Sequence, residues 1–155
     1  MNALQPLTAL LIQTERQRDL ALAEQRQAEA ANSAARAQSE QLTVYRREYE
    51  QRWSAQFCRE GKIELVRCYQ GFMERLTQAI DSQVRAAAAA SARLVRATAV
   101  VMEHEVRLAA VRTVVEQRLA DQRRAMQRLD QKQNDELAAR VAWSGRAAAS
   151  RADAG

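Results

Sequence analysis

A chain of 155 residues suffices for one domain, and this one holds only four Gly and one Pro, too few for the turns of a strand-rich fold. Aromatic residues make up 5% of it, which argues against a globular α/β core, whereas the dominant Ala, Arg, Gln, Glu and Leu all favour helices. The net charge is +5, carried almost wholly by Arg, but acids interleave with it, as in Glu48–Glu50–Arg52 and Glu103–Glu105–Arg107, which is the pattern of a solvated helix face with i,i+4 pairs and not the continuous basic stripe of a nucleic-acid surface.

In chain order, Asn2 is placed to cap a first helix, and Pro6 falls in its first turn, where a missing N–H costs nothing. From Leu4 the apolar positions step by three and four through Leu7, Leu11, Ala21, Ala28, Ala35, Leu42, Tyr45, Tyr49 and Trp53. That rhythm is a coiled-coil seam, diluted with Ala in its middle, and it predicts a helix over about 4–57. The first breaker is the stretch 58–62, in which Gly61 suits a left-handed helix cap.

A second run is predicted over about 63–143, with its seam at Val66, Tyr69, Met73, Leu76, Ile80, Val84, Ala87, Ser91, Leu94, Thr98, Val101, Leu108, Val115, Leu119, Met126 and Leu129. Folding the chain at Gly61 sets large residues against large and small against small. Tyr45, Tyr49 and Trp53 fall opposite Tyr69, Phe72 and Leu76, and Ala28–Ala37 fall opposite Ala86–Ala92. The expected fold is all-α: a long antiparallel two-helix coiled-coil hairpin, a single domain over 1–143, with a disordered tail over 144–155. At 1.5 Å per residue the helices span about 80 and 120 Å, so the last ~25 residues of the second project without a partner from the same chain. The Ala-rich middle buries little area, so the aromatic end near the turn is expected to be the stable part and the middle to open first.

Nothing in the chain composes a catalytic set. His104 has Glu103 and Glu105 beside it, but neighbours on a helix point in different directions and make no ligand set, so the residue reads as an ordinary surface or seam His. No Gly-rich phosphate loop occurs, and a hairpin has no water-excluding cleft; no cofactor, no metal and no enzyme activity are expected. No apolar run approaches the ~20 residues of a membrane span, and the N-terminal stretch lacks signal-peptide features, so a cytoplasmic chain without membrane insertion is expected. Cys58 and Cys68 are then free thiols.

Function is therefore expected along the surface. On a helical wheel Tyr69, Met73, Ile80 and Val84 form one stripe after the turn, and Leu65, Phe72, Leu76 and Ala79 form a second beside it. The combined arc of about 140° is wider than one partner helix needs. Either Tyr45, Tyr49 and Trp53 cover all of it, or Phe72, Leu76 and Ala79 stay partly exposed as a docking stripe. The second surface is the projecting segment, where Leu129, Leu137 and Val141 lack a partner from the same chain.

Three segments carry a family resemblance: Tyr45-Arg46-Arg47-Glu48-Tyr49, Tyr69-Gln70-Gly71-Phe72-Met73-Glu74-Arg75-Leu76, and Leu129-Asp130-Gln131-Lys132-Gln133-Asn134-Asp135-Glu136. In this order and at these distances from one turn, the chain resembles the FliJ family, the coiled-coil component of the bacterial flagellar type III export apparatus. The resemblance spans essentially the whole chain. It implies a non-enzymatic stalk that enters the hexameric export ATPase, contacts the membrane-embedded export gate and handles export chaperones, located in the cytoplasm at the inner membrane beneath the flagellum. By the same resemblance the gate-docking stripe maps onto Phe72, Leu76 and Ala79, and the ATPase-ring contact onto Leu129, Asp130, Lys132, Asp135 and Glu136. A further stripe position falls on Gln83, a departure from the family's His. The alternatives are the stalk of a virulence type III secretion system, a self-associating coiled-coil scaffold, and a helical nucleic-acid-binding arm.

Overall fold

A computed structural model describes residues 4–155; the cap expected at Asn2 lies outside the described residues. Two helices make up nearly all of this stretch, α1 (Leu4–Arg59) and the longer α2 (Ile63–Asp153). No strand occurs among the described residues. Pro6 sits in the first turn of α1, as its missing N–H requires.

Residues 60–62 join the helices. The left-handed cap expected at Gly61 does not form, because no described residue has a positive φ. Instead the Glu60 N–H donates to the Gln56 carbonyl at 2.9 Å, and the Val66 N–H donates to the Lys62 carbonyl at 3.4 Å, so helical bonds themselves close both ends of the turn. Arg59 in the last turn of α1 and Glu64 in the first turn of α2 each complement the local helix dipole.

Gly71 lies inside α2, and a Cβ built there would meet nothing within 4 Å. Gly71→Ala is expected to raise stability by about 0.5–1 kcal/mol, because Ala restricts the unfolded chain and favours the helix. A thermal melt followed by circular dichroism reads the gain; a lower midpoint would contradict it.

The tail expected to be disordered is helical instead, and α2 runs on to Asp153. Ala142, Ala147, Ala148, Ala149, Arg146 and Arg151 favour helix, and only Gly145 opposes it within that stretch. A helix already nucleated upstream continues by one bond per residue, so a single Gly does not end it.

The described residues pack as two units. One comprises Glu15–Arg107, a hairpin of α1 and α2 about the turn. Its register is the one read from the sequence: Trp53 and Tyr69, each eight residues from Gly61, bring their rings to 5.5 Å. Farther along, Gln25 donates to the Thr98 hydroxyl at 3.3 Å, and Arg93 grips Glu24 through Nε and Nη2 at 2.9 and 2.7 Å. Ala21, Ala28 and Ala97 are buried, so in this middle part small side chains form the core. The other unit comprises the described residues 4–14 of α1 with Leu108–Gly155 of α2. Within it Leu108 is fully buried, and Thr14 is 2% exposed with its hydroxyl donating to the Leu10 carbonyl at 2.7 Å. That internal bond lets a polar residue occupy a core position without an unmet donor.

The α2 seam departs from expectation at one place. Val84 is exposed, and Gln83 turns inward, its Nε2 donating to the Ala35 carbonyl at 3.2 Å. Strictly alternating four- and three-residue steps from Leu76 to Val101 pass through position 83 and through buried Ala97, so the helix phase outweighs the preference for Val. Small Ala35 leaves room for the amide to reach the backbone.

Candidate functional site

The turn end is built by aromatic rings. On α1, Tyr45, Tyr49, Trp53 and Phe57 recur every four residues, with neighbouring ring centroids 5.6–6.0 Å apart. Across the hairpin Phe72 stacks on Tyr49 at 4.1 Å and meets Tyr45 edge-on at 6.4 Å, while Phe57 meets Tyr69 edge-on at 5.3 Å. Every aromatic residue of the chain except Trp143 belongs to this cluster.

Both stripes of α2 therefore pack toward α1: Tyr69 of the first meets Trp53 and Phe57, and Phe72 of the second meets Tyr45 and Tyr49. Leu76 is 7% exposed, Phe72 and Leu65 are half-buried, and only Ala79 lies open to solvent. Of the two alternatives for this stripe, cover by the α1 rings is the one seen at Phe72, which meets Tyr45 and Tyr49; Leu76 is buried as well. Gln83 is engaged inside the hairpin. Beside these residues, Tyr69, Gln70, Met73, Glu74, Thr77 and Gln78 line a shallow hollow open to solvent. Thr77 and Gln78 carried no sequence signal for a surface, since isolated polar residues on a helix read only as solvent-facing.

The second surface lies on α2 beyond Ala120. From Asp121 to Arg146 every residue is exposed; Leu4 of α1 reaches only its beginning, where it lines an open hollow with Arg118, Asp121, Gln122 and Ala125. The seam rhythm nevertheless continues from Leu119 into it through Met126 and Leu129, the three being 42%, 62% and 53% exposed. Leu137, Val141 and Trp143 are open as well. Leu129, Asp130, Lys132, Asp135 and Glu136 thus lie together on one accessible helical segment. Arg128, Gln131, Lys132, Asp135, Glu136 and Ala139 line an open hollow on its side.

The residues considered for chemistry stay apart. No group of three potential metal ligands occurs among the described residues. His104 is a half-buried seam residue whose Nδ1 has no hydrogen-bond partner. Cys58 and Cys68 are exposed free thiols. No described helix is long and apolar enough to cross a membrane.

The chain matches no curated protein and no solved structure. A family model described as flagellar FliJ protein matches residues 2–147, covering α1, the aromatic turn end and all but the last six residues of α2. By that match the chain belongs to the FliJ family and is a component of the flagellar export apparatus.

Proposed function

We propose that this chain is a non-enzymatic stalk that couples the flagellar export ATPase ring to the export gate and assists in handling export chaperones. The observation that carries the proposal is the uncovered seam of α2. Leu119, Met126 and Leu129 keep coiled-coil spacing while remaining exposed, as a helix does whose partner is another protein. The ring contact is assigned to Leu129, Asp130, Lys132, Asp135 and Glu136. Gate docking is assigned to the turn end, with Ala79 as the accessible member and Phe72 and Leu76 shaping the surface from beneath. The protein works in the cytoplasm, peripheral to the inner membrane at the flagellar base.

The test is co-purification with the export ATPase hexamer, with ATP hydrolysis measured with and without the chain. The full chain is expected to bind the ring and to raise its hydrolysis rate. Deleting Leu129–Gly155 removes only residues outside the covered seam, so the melting midpoint should move little while ring binding and stimulation are lost. Full stimulation by the truncated chain would overturn the ring assignment.

A further inference from the structure

Helix α2 carries a second apolar seam, on the side turned away from α1. Ala88, Ala92, Val95, Ala99, Met102 and Val106 recur at alternating four- and three-residue steps, and none is charged. All six are exposed; Val95, Met102 and Val106 are 67%, 66% and 72% so. This rhythm differs in phase from the seam that packs on α1, which runs through Leu94, Ala97, Val101 and His104. A solvated helix face has no need of three large apolar residues in strict coiled-coil register, and isolated exposed residues would not keep the spacing.

We propose that this face binds the same face of a second copy, antiparallel, around a two-fold axis between positions 99 and 102. The side chains fit that register. Val95 meets Val106 of the other copy, and Ala99 meets Met102, so the largest side chain faces the smallest. The flanking charges select it. In antiparallel pairs, flanking positions on the same side of the seam meet one another, which sets Arg96 of each copy beside Glu103 of the other, twice by symmetry. A slip of one heptad in one direction puts Arg96 against Arg96, and a slip in the other puts Glu103 against Glu103. A parallel pairing in register brings Arg96 near Ser91 and Glu103 near Thr98, with no ion pair. One arrangement alone combines filled layers with opposite charges at its edges.

Four layers of Val, Ala and Met make a small interface, so the association is weak, with a dissociation constant on the order of 10–100 µM. The test is sedimentation equilibrium of the full chain across that concentration range. A monomer–dimer equilibrium is expected, and Met102→Glu should abolish it without moving the melting midpoint, because the residue is open to solvent. Arg96→Glu should weaken the dimer about tenfold, and adding Glu103→Arg to it should restore it. Orientation is read by cross-linking in a Cys58→Ser, Cys68→Ser background. A mixture of Ala99→Cys and Met102→Cys chains should form disulfide-linked dimers faster than either variant alone. A chain that stays monomeric at ~200 µM overturns the proposal, as does a dimer that survives Met102→Glu. Cross-linking of each variant with itself in preference to the mixture overturns the antiparallel register.

Discussion

Leu108→Ala is expected to destabilise the protein by about 3 kcal/mol, near the middle of the range for truncating a buried Leu. Leu108 is the largest side chain in the described structure with no solvent exposure. The cost combines the lost transfer free energy of the removed carbons with the cavity they leave. Two helices have few neighbouring side chains that can move in to fill such a cavity, so the effect should not fall to the bottom of that range. A loss of this size lowers the melting midpoint by about 6–12 °C for a chain of this length. Leu129→Ala on the same helix is the control: Leu129 is 53% exposed, and its truncation should stay within about 0.5 kcal/mol. Circular dichroism melts of the two variants side by side check both values. Equal midpoints would mean that the Leu108 site is not the closed core position described above.

The pairing of the helices was legible because it rests on size. Bulky residues before Gly61 recur at matching distances after it, and Trp53 meets Tyr69 as that symmetry requires. The uncovered seam past Ala120 followed from unequal helix lengths alone. Three features were less legible. The inward turn of Gln83 depends on the helix phase across some twenty-five residues, and local hydropathy pointed to Val84 instead. The end of α2 is hard to read because small residues with one Gly resemble a flexible tail, although Ala and Arg sustain a helix once it is running. The choice between cover and display for the second stripe stays open in the sequence because a helical wheel gives angles only. That Phe72 is covered along with Tyr69 depends on the reach of the Tyr45 and Tyr49 rings on the other helix, a property of side-chain size across the seam. The second seam at Val95, Met102 and Val106 was hidden among abundant Ala, and it stands out only once the first seam has been assigned to α1.

Phe72→Ala and Leu76→Ala together are expected to melt the turn end of the hairpin, although the family pattern reads these residues as a docking surface. Phe72 loses its stack on Tyr49 and its edge contact with Tyr45, and Leu76 loses a position only 7% exposed. Each change costs about 2–3 kcal/mol, and because the two share one cluster their effects need not add. The double variant should lower the melting midpoint by about 10 °C and open the segment around 60–62 to proteolysis. A failure of this variant to bind the export gate would then report lost folding, not a lost contact. Ala79→Glu separates the two. Ala79 is open to solvent, and replacing it with Glu costs only about 0.4 kcal/mol of helix propensity, so the fold should be preserved. If the gate docks on this face, the added carboxylate enters the contact without a partner and binding falls at least tenfold, which corresponds to about 1.4 kcal/mol. Unchanged gate affinity in Ala79→Glu would remove the docking role from this face. An unchanged midpoint in the Phe72 and Leu76 double variant would instead restore these residues as surface groups free to make the contact themselves.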